Sequence, residues 1–117
     1  MNTERIERML ERMEERGLEQ LLITAPSSIF YLTGHYEEPL ERFWALYLRK
    51  DGAHRLVSNR LFSLPEGNGV DILWYEDGES AVGKLCPCLM KDRVLGVDGV
   101  TASRYLLELM ERTAAAG

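Results

Sequence analysis

Two histidines, two cysteines and four prolines are all that the 117 residues hold of those types, and each shortage removes a class of function. His35 and His54 are not spaced with another His, Cys or carboxylate on one helix face, so no metal-ligand motif can be assembled around them. His54, at a strand start beside a turn, reads as a solvated imidazole. The cysteines form Cys86-Pro87-Cys88, a C-x-C rather than a C-x-x-C, and no third thiol completes a zinc site. Two cysteines make no disulfide scaffold either, so they read as reduced residues of an apolar helix near Pro87. No apolar run approaches the roughly 20 residues of a membrane span. Met1-Asn2-Thr3-Glu4-Arg5 leads into a charged segment without the apolar centre of a signal peptide. Basic residues are also outnumbered: 14 Lys and Arg against 19 Asp and Glu leave a net charge of −5. That balance disfavours nucleic acid and anionic membrane as partners, since both need clustered cations. A cytoplasmic protein with reduced thiols is the expectation.

Nucleophile and nucleotide motifs are missing as well. Ser27 and Ser28 lack a G-x-S-x-G context, and Gly96-Val97-Asp98-Gly99 lacks the spacing that would cradle a pyrophosphate. Asp98 reads as a turn residue, and Asp77-Gly78 reads the same way.

What remains is a globular pattern. At 45% hydrophobic and 28% charged residues, one domain of this length buries enough surface to be stable unaided. Ile6, Met9, Leu10 and Met13 follow helical spacing, predicting a helix over 3–16 with Thr3 as its cap and Gly17 at its end. Its polar side is sorted by sign, Arg5, Arg8, Arg12 and Arg16 in one row and Glu4, Glu7, Glu11 and Glu14 in another. The rows read as a solvated face, with a docking surface as the alternative. Gln20 to Thr24 reads as a buried central strand. Pro26-Ser27-Ser28 breaks the chain, with Ser27 or Ser28 capping a short helix over Ile29 to Leu32 that Gly34 stops. His35 to Arg42 reads as a loop.

Phe43 to Arg49 and His54 to Ser58 read as strands of a hairpin turned at Asp51-Gly52. Asn59 to Asn68 is a connection. Val70 to Tyr75 is a strand, Asp77 or Ser80 caps a helix through Val82, Leu85 and Leu89, and Arg93 to Val97 is a further strand. Thr101 opens a last helix using Tyr105, Leu106, Leu109 and Met110, and residues 113–117 carry no structure signal. Helices between strands imply parallel neighbours and the hairpin imposes an antiparallel pair. The fold class is α/β, a mixed sheet of about five strands with helices on both faces.

The segment Leu21-Leu22-Ile23-Thr24-Ala25-Pro26-Ser27-Ser28-Ile29-Phe30-Tyr31-Leu32-Thr33-Gly34 resembles the creatinase/prolidase N-terminal domain. There a buried strand leads through a Pro/Ser turn to a short helix ending Tyr-Leu-Thr-Gly. The opening helix, the hairpin, Val70 to Tyr75 followed by Glu76-Asp77, Val94-Leu95-Gly96-Val97-Asp98 and the closing helix follow in the same order. The resemblance covers residues 1–117 and implies a single ribonuclease H-like domain. It implies the non-catalytic N-terminal part of an Xaa-Pro dipeptidase, ending before a pita-bread catalytic domain. That domain would hold two divalent metal ions, manganese or cobalt, on two Asp, a His and two Glu. A homodimer and a proline-containing dipeptide substrate are the implied partners. In some dipeptidases of this family, the loop after Tyr-Leu-Thr-Gly reaches the partner subunit's active-site mouth. The corresponding candidates here are His35, Tyr36, Glu38, Glu41 and Arg42.

Aminopeptidase P and creatinase share this domain, so the resemblance implies the family and, as an alternative parent, a relative such as aminopeptidase P. Two other classes compete: a standalone binding or regulatory domain, and a small nuclease, for which Asp71 and Asp98 are the strand-associated carboxylates.

Overall fold

In a computed structural model, residues 1–37, 42–61, 70–99, 101 and 103–116 are described. Five strands form one sheet in the order β4-β3-β2-β1-β5. They are β1 (Gln20–Ile23), β2 (Ala45–Arg49), β3 (Arg55–Asn59), β4 (Asp71–Tyr75) and β5 (Leu95–Val97). β1 with β2 and β2 with β3 are antiparallel, while β3 with β4 and β1 with β5 are parallel. The mixed α/β sheet expected from the element order is therefore present.

Helices cover both faces. On one, α1 (Thr3–Glu15) and α2 (Pro26–Thr33) close over Ile23, Leu46, Leu48 and Leu56 with Ile6, Met13, Ile29 and Leu32. On the other, α3 (Ala81–Leu85), a 3-10 turn (Cys86–Cys88) and α4 (Ser103–Ala116) cover Leu22, Ala45, Tyr47 and Val57. Successive residues of β2 serve opposite cores, as strand alternation requires. Among the described residues, no helix is long and apolar enough to cross a membrane.

Several local expectations are corrected. Asn2, not Thr3, caps α1: its Oδ1 accepts the Arg5 N–H at 3.0 Å. α2 begins at Pro26 with no serine cap, because proline fixes the helical φ and has no N–H to satisfy at the first position. Gly34 ends α2 in the left-handed region at φ 81°, its N–H donating to Phe30 O. His54 is only partly solvated: half-buried, its Nδ1 accepts the Arg49 N–H across the hairpin turn at 3.2 Å. Burial lowers its pKa, opposed by Asp51. The cysteines are free thiols but stand in the 3-10 turn, with Pro87 between them. α4 starts two residues later than expected and runs to Ala116, because an alanine run is a strong helix former. Residues 62–69, most of the Asn59 to Asn68 connection, lie outside the described residues.

Candidate functional site

The candidate loop leaves α2 at Gly34 and enters β2 through Phe43 and Trp44. Its first residues are set by the helix end. Thr33 Oγ1 donates to Ile29 O at 2.7 Å and accepts the His35 N–H at 3.1 Å. Burial lowers the His35 pKa, the Met1 ammonium adds to this, and Glu37 opposes it. A histidine so placed is neutral at physiological pH. Tyr36 meets Phe30 edge to face, with ring centroids 6.2 Å apart. Both rings remain about half exposed. Glu38 and Glu41 lie outside the described residues.

Arg42 is anchored elsewhere. Its Nε and Nη2 donate to the two oxygens of Asp77 at 3.2 and 3.0 Å. Asn59 Nδ2 donates to Asp77 Oδ1 at 2.8 Å, so the end of β3, the turn after β4 and the loop converge on one carboxylate. The Arg42 bond and then the Asn59 bond hold the Asp77 pKa below its usual value, and the same pair raises that of Arg42. Sequence reading makes Asp77 a turn residue; no spacing signal links it to a residue 35 positions away. Nor does the sequence show that Arg42 arrives already paired instead of projecting freely.

Beside this pair lies an open cleft of about 260 Å³ lined by Arg42, Phe43, Tyr75, Asp77, Tyr105 and Glu108, among others. Tyr75 donates from its hydroxyl to Phe43 O at 2.8 Å, and the Phe43 and Tyr105 rings pack 4.7 Å apart. Ser80 caps α3 by accepting the Gly83 N–H at 2.9 Å and donates to Glu108, which also accepts from Arg112 at 2.8 Å. The Ser80 bond and, against the cost of burial, the Arg112 bond lower the Glu108 pKa. The cleft's described carboxylates, Asp77, Glu79 and Glu108, are all held below their usual pKa and thus stay ionised at neutral pH.

Asp98, read as a turn residue, braces the fold. Its carboxylate accepts the backbone N–H of Thr24 and Ala25 at 2.9 and 2.8 Å and the hydroxyls of Thr24 and Thr101 at 2.9 and 2.8 Å. This ties the end of β1 to the approach of α4 and leaves Asp98 no lone pair suited to holding magnesium with Asp71. Asp71 itself pairs with Arg55 at 3.4 Å. Among the described residues, no group of three or more His, Cys, Asp and Glu is placed to hold a metal ion. The described residues therefore offer no dinuclear metal site, which the family resemblance puts in a separate catalytic domain.

Comparison with known proteins gives the lineage. The Creatinase/Prolidase N-terminal domain profile matches residues 5–116. A proline dipeptidase structure from Streptococcus pneumoniae superposes with a TM-score of 0.81 at 23% identity, over 93% of this chain and 84% of that one. A dipeptidase from Pyrococcus horikoshii gives 0.77 at 24% identity over 92% of this chain, but only 31% of its own length is covered. An uncharacterized peptidase of Staphylococcus aureus (strain USA300) is 33% identical over 57 residues, 49% of this chain and 16% of the relative. The chain thus spans about a sixth of that peptidase, and on the profile match over nearly its whole length it belongs to the Creatinase/Prolidase N-terminal domain family.

Proposed function

We propose that the chain acts as the non-catalytic N-terminal domain of an Xaa-Pro dipeptidase-like metallopeptidase, a cytoplasmic homodimer in which it supplies dimer contacts and loops at the partner's active-site mouth. The observation that carries this reading is its superposition over most of its length on dipeptidases of which it covers about a third. In this reading, hydrolysis and the divalent metal ions belong to a following domain. This chain's part is recognition. Arg42 offers a guanidinium held by Asp77 through two of its nitrogens, so among the described residues Nη1 is left for another acceptor. A dipeptide's C-terminal carboxylate or an acidic first side chain fits that donor, which stays charged throughout the useful pH range. His35 and Tyr36 supply a neutral imidazole and a phenol at the other end of the same loop.

Two measurements test the proposal. The isolated chain with manganese should leave Met-Pro and Leu-Pro intact, and metal-dependent cleavage by it would overturn the assignment of catalysis elsewhere. In the full-length enzyme, Arg42→Ala should change relative kcat/KM among acidic, basic and apolar first residues by about tenfold. Unchanged ratios would remove the loop from substrate selection.

A further inference from the structure

Helix α1 sorts its charges by sign, an unfavourable arrangement for a helix taken alone. Arg5, Arg8, Arg12 and Arg16 follow one another at spacings of three or four residues, where like charges are neighbours and weaken the helix. Interleaved signs would give attractive pairs at the same spacings. Among the described residues, one ion pair inside α1 relieves the row, Arg8 with Glu4 at 3.4 Å. Arg12 takes part in no ion pair or side-chain hydrogen bond among them. On a chain of net charge −5, the row is a local excess of the opposite sign.

It borders a groove of about 220 Å³ between α1 and α2, lined by Arg5, Arg8, Met9, Arg12, Tyr31 and Leu32. Three arginines thus share one groove with a thioether, a phenol ring and a leucine, and no described carboxylate is part of the lining. Arg5 is held in place from the α2 side. Its Nη1 donates to Tyr31 O at 2.8 Å, and its guanidinium carbon stands 4.2 Å from the centroid of the Tyr31 ring. Stacking and one hydrogen bond fix the guanidinium, and among the described residues its Nε and Nη2 are left for an acceptor. The Arg8–Glu4 pair is exposed on both sides, and such a pair exchanges partners readily.

Charge and donor count select the ligand. The groove offers three guanidinium groups, one of them sharing its charge with Glu4. A phosphate monoester carries a charge of about −2 and three acceptor oxygens, enough to engage all three. A carboxylate matches a single fork and leaves the other donors unused. The groove is smaller than the roughly 300–1,000 Å³ of pockets for drug-sized ligands, so the rest of the molecule is small. We propose that the α1–α2 groove binds a phosphate monoester with a small apolar or aromatic ester group. The phosphate lies on Arg5, Arg8 and Arg12, and the ester group packs beside the Met9 thioether and the Tyr31 ring. The site uses neither Arg42 nor the cleft beside it, so it stands independently of the loop's part in substrate selection.

The test is isothermal titration calorimetry of the 117-residue chain with phenyl phosphate, inorganic phosphate and benzoate. Phenyl phosphate should bind at one site, about tenfold more tightly than either of the others. Arg12→Ala should weaken it about tenfold, the loss of one charge-assisted contact. Arg16→Ala, in the same row but outside the groove, should leave it unchanged. In nitrogen–proton NMR spectra the Nε–H signals of Arg5, Arg8 and Arg12 should move on titration while that of Arg42 stays. A phosphotyrosine peptide that moves the same signals and binds more tightly than phenyl phosphate supports the site with a phosphorylated protein as its source; weaker binding supports it with a free ester. Three results would each overturn the proposal: no saturable binding at millimolar phenyl phosphate, benzoate or inorganic phosphate binding as tightly, or equal losses from Arg12→Ala and Arg16→Ala.

Discussion

Gln20 and Arg42 each make two-pronged polar contacts that tie distant segments together, and they differ chiefly in their access to water. Gln20 is almost fully buried at the start of β1. Its Nε2 donates to Met90 O and Arg93 O at 2.9 and 3.0 Å, while its Oε1 accepts from Tyr47 Oη at 2.6 Å and Met90 N at 2.9 Å. Every hydrogen-bonding position of the amide is used, and none is left for a ligand. Arg42 sits at the rim of a cleft with its side chain 35% exposed, one nitrogen still available, and a carboxylate partner that is more exposed still. The first hub holds the segment entering β5; the second holds a charge ready for use. A sealed network is costly to break and inert, whereas an exposed pair contributes little to stability and can exchange partners.

The largest expected effect follows from that contrast. Gln20→Ala would leave the buried Tyr47 hydroxyl without its acceptor and remove three part-buried bonds to Met90 and Arg93, at a cost of about 3 kcal/mol. Urea denaturation followed by circular dichroism reads this directly. A loss no larger than that of an exposed substitution would mean that water reaches the hub and that the contrast with Arg42 is false.

Tyr47 extends the same hub to pH. Burial raises its pKa to about 12, with Arg49 acting in the opposite direction. An unfolded tyrosine ionises near 10, so the buried neutral phenol contributes stability that is fully present below that value. As pH rises through the folded pKa the contribution is lost, by about 3 kcal/mol between the two values. Tyr47→Phe should flatten this alkaline limb of the stability profile while lowering neutral stability through the lost bond to Gln20. Tyr75, also raised by burial, should preserve part of the limb in the variant.

Much of this architecture is legible in the residue pattern, because strand and helix periodicities are local. The apolar stripe of Ile6, Met9, Leu10 and Met13, the run Leu21-Leu22-Ile23 and the Asp51-Gly52 turn each announce their element without reference to the rest of the chain. Ends are less legible, because Asn2 and Pro26 compete with neighbouring threonine and serine for the same capping task. The candidate site is least legible. Glu38 and Glu41 lie outside the described residues, and Arg42 is held by Asp77, 35 positions away, which itself takes a bond from Asn59, 18 positions before it. Asp77 and Asp98 look alike as aspartates beside glycine, yet one binds a surface arginine and the other braces a strand end. Only packing separates them.

Gly96→Ala should have a smaller effect, about 1 kcal/mol, because the added Cβ crowds only the ends of flexible Leu18 and Leu21 side chains and meets backbone, at Gln20 O, at an ordinary 3.7 Å. It sharpens the comparison by perturbing the strand that Gln20 positions while leaving the Gln20 bonds themselves in place. Loss of stability equal to that of Gln20→Ala would show that β5 and the hub unfold as one unit.

The smallest thermodynamic effect belongs to the Arg42–Asp77 pair, and pH reads it better than denaturant does. The hydrogen bonds from Arg42 and Asn59 lower the Asp77 pKa. The contribution of the ionised carboxylate is therefore present above the ordinary unfolded value near 3.9, and it is lost as pH falls through the still lower folded value. The Arg42 Nε–H signal in a nitrogen–proton NMR spectrum should keep its position from neutral pH down to about 4 and move only below that. Asp77→Asn should shift the signal at neutral pH and abolish its acid-dependent movement, with the urea midpoint almost unchanged because both side chains are solvent-exposed. If the signal already moves between pH 7 and 5, a group other than Asp77 governs Arg42. If Asp77→Asn lowers the midpoint as far as Gln20→Ala does, the pair is part of the sealed framework, and Arg42 is no longer available to a substrate.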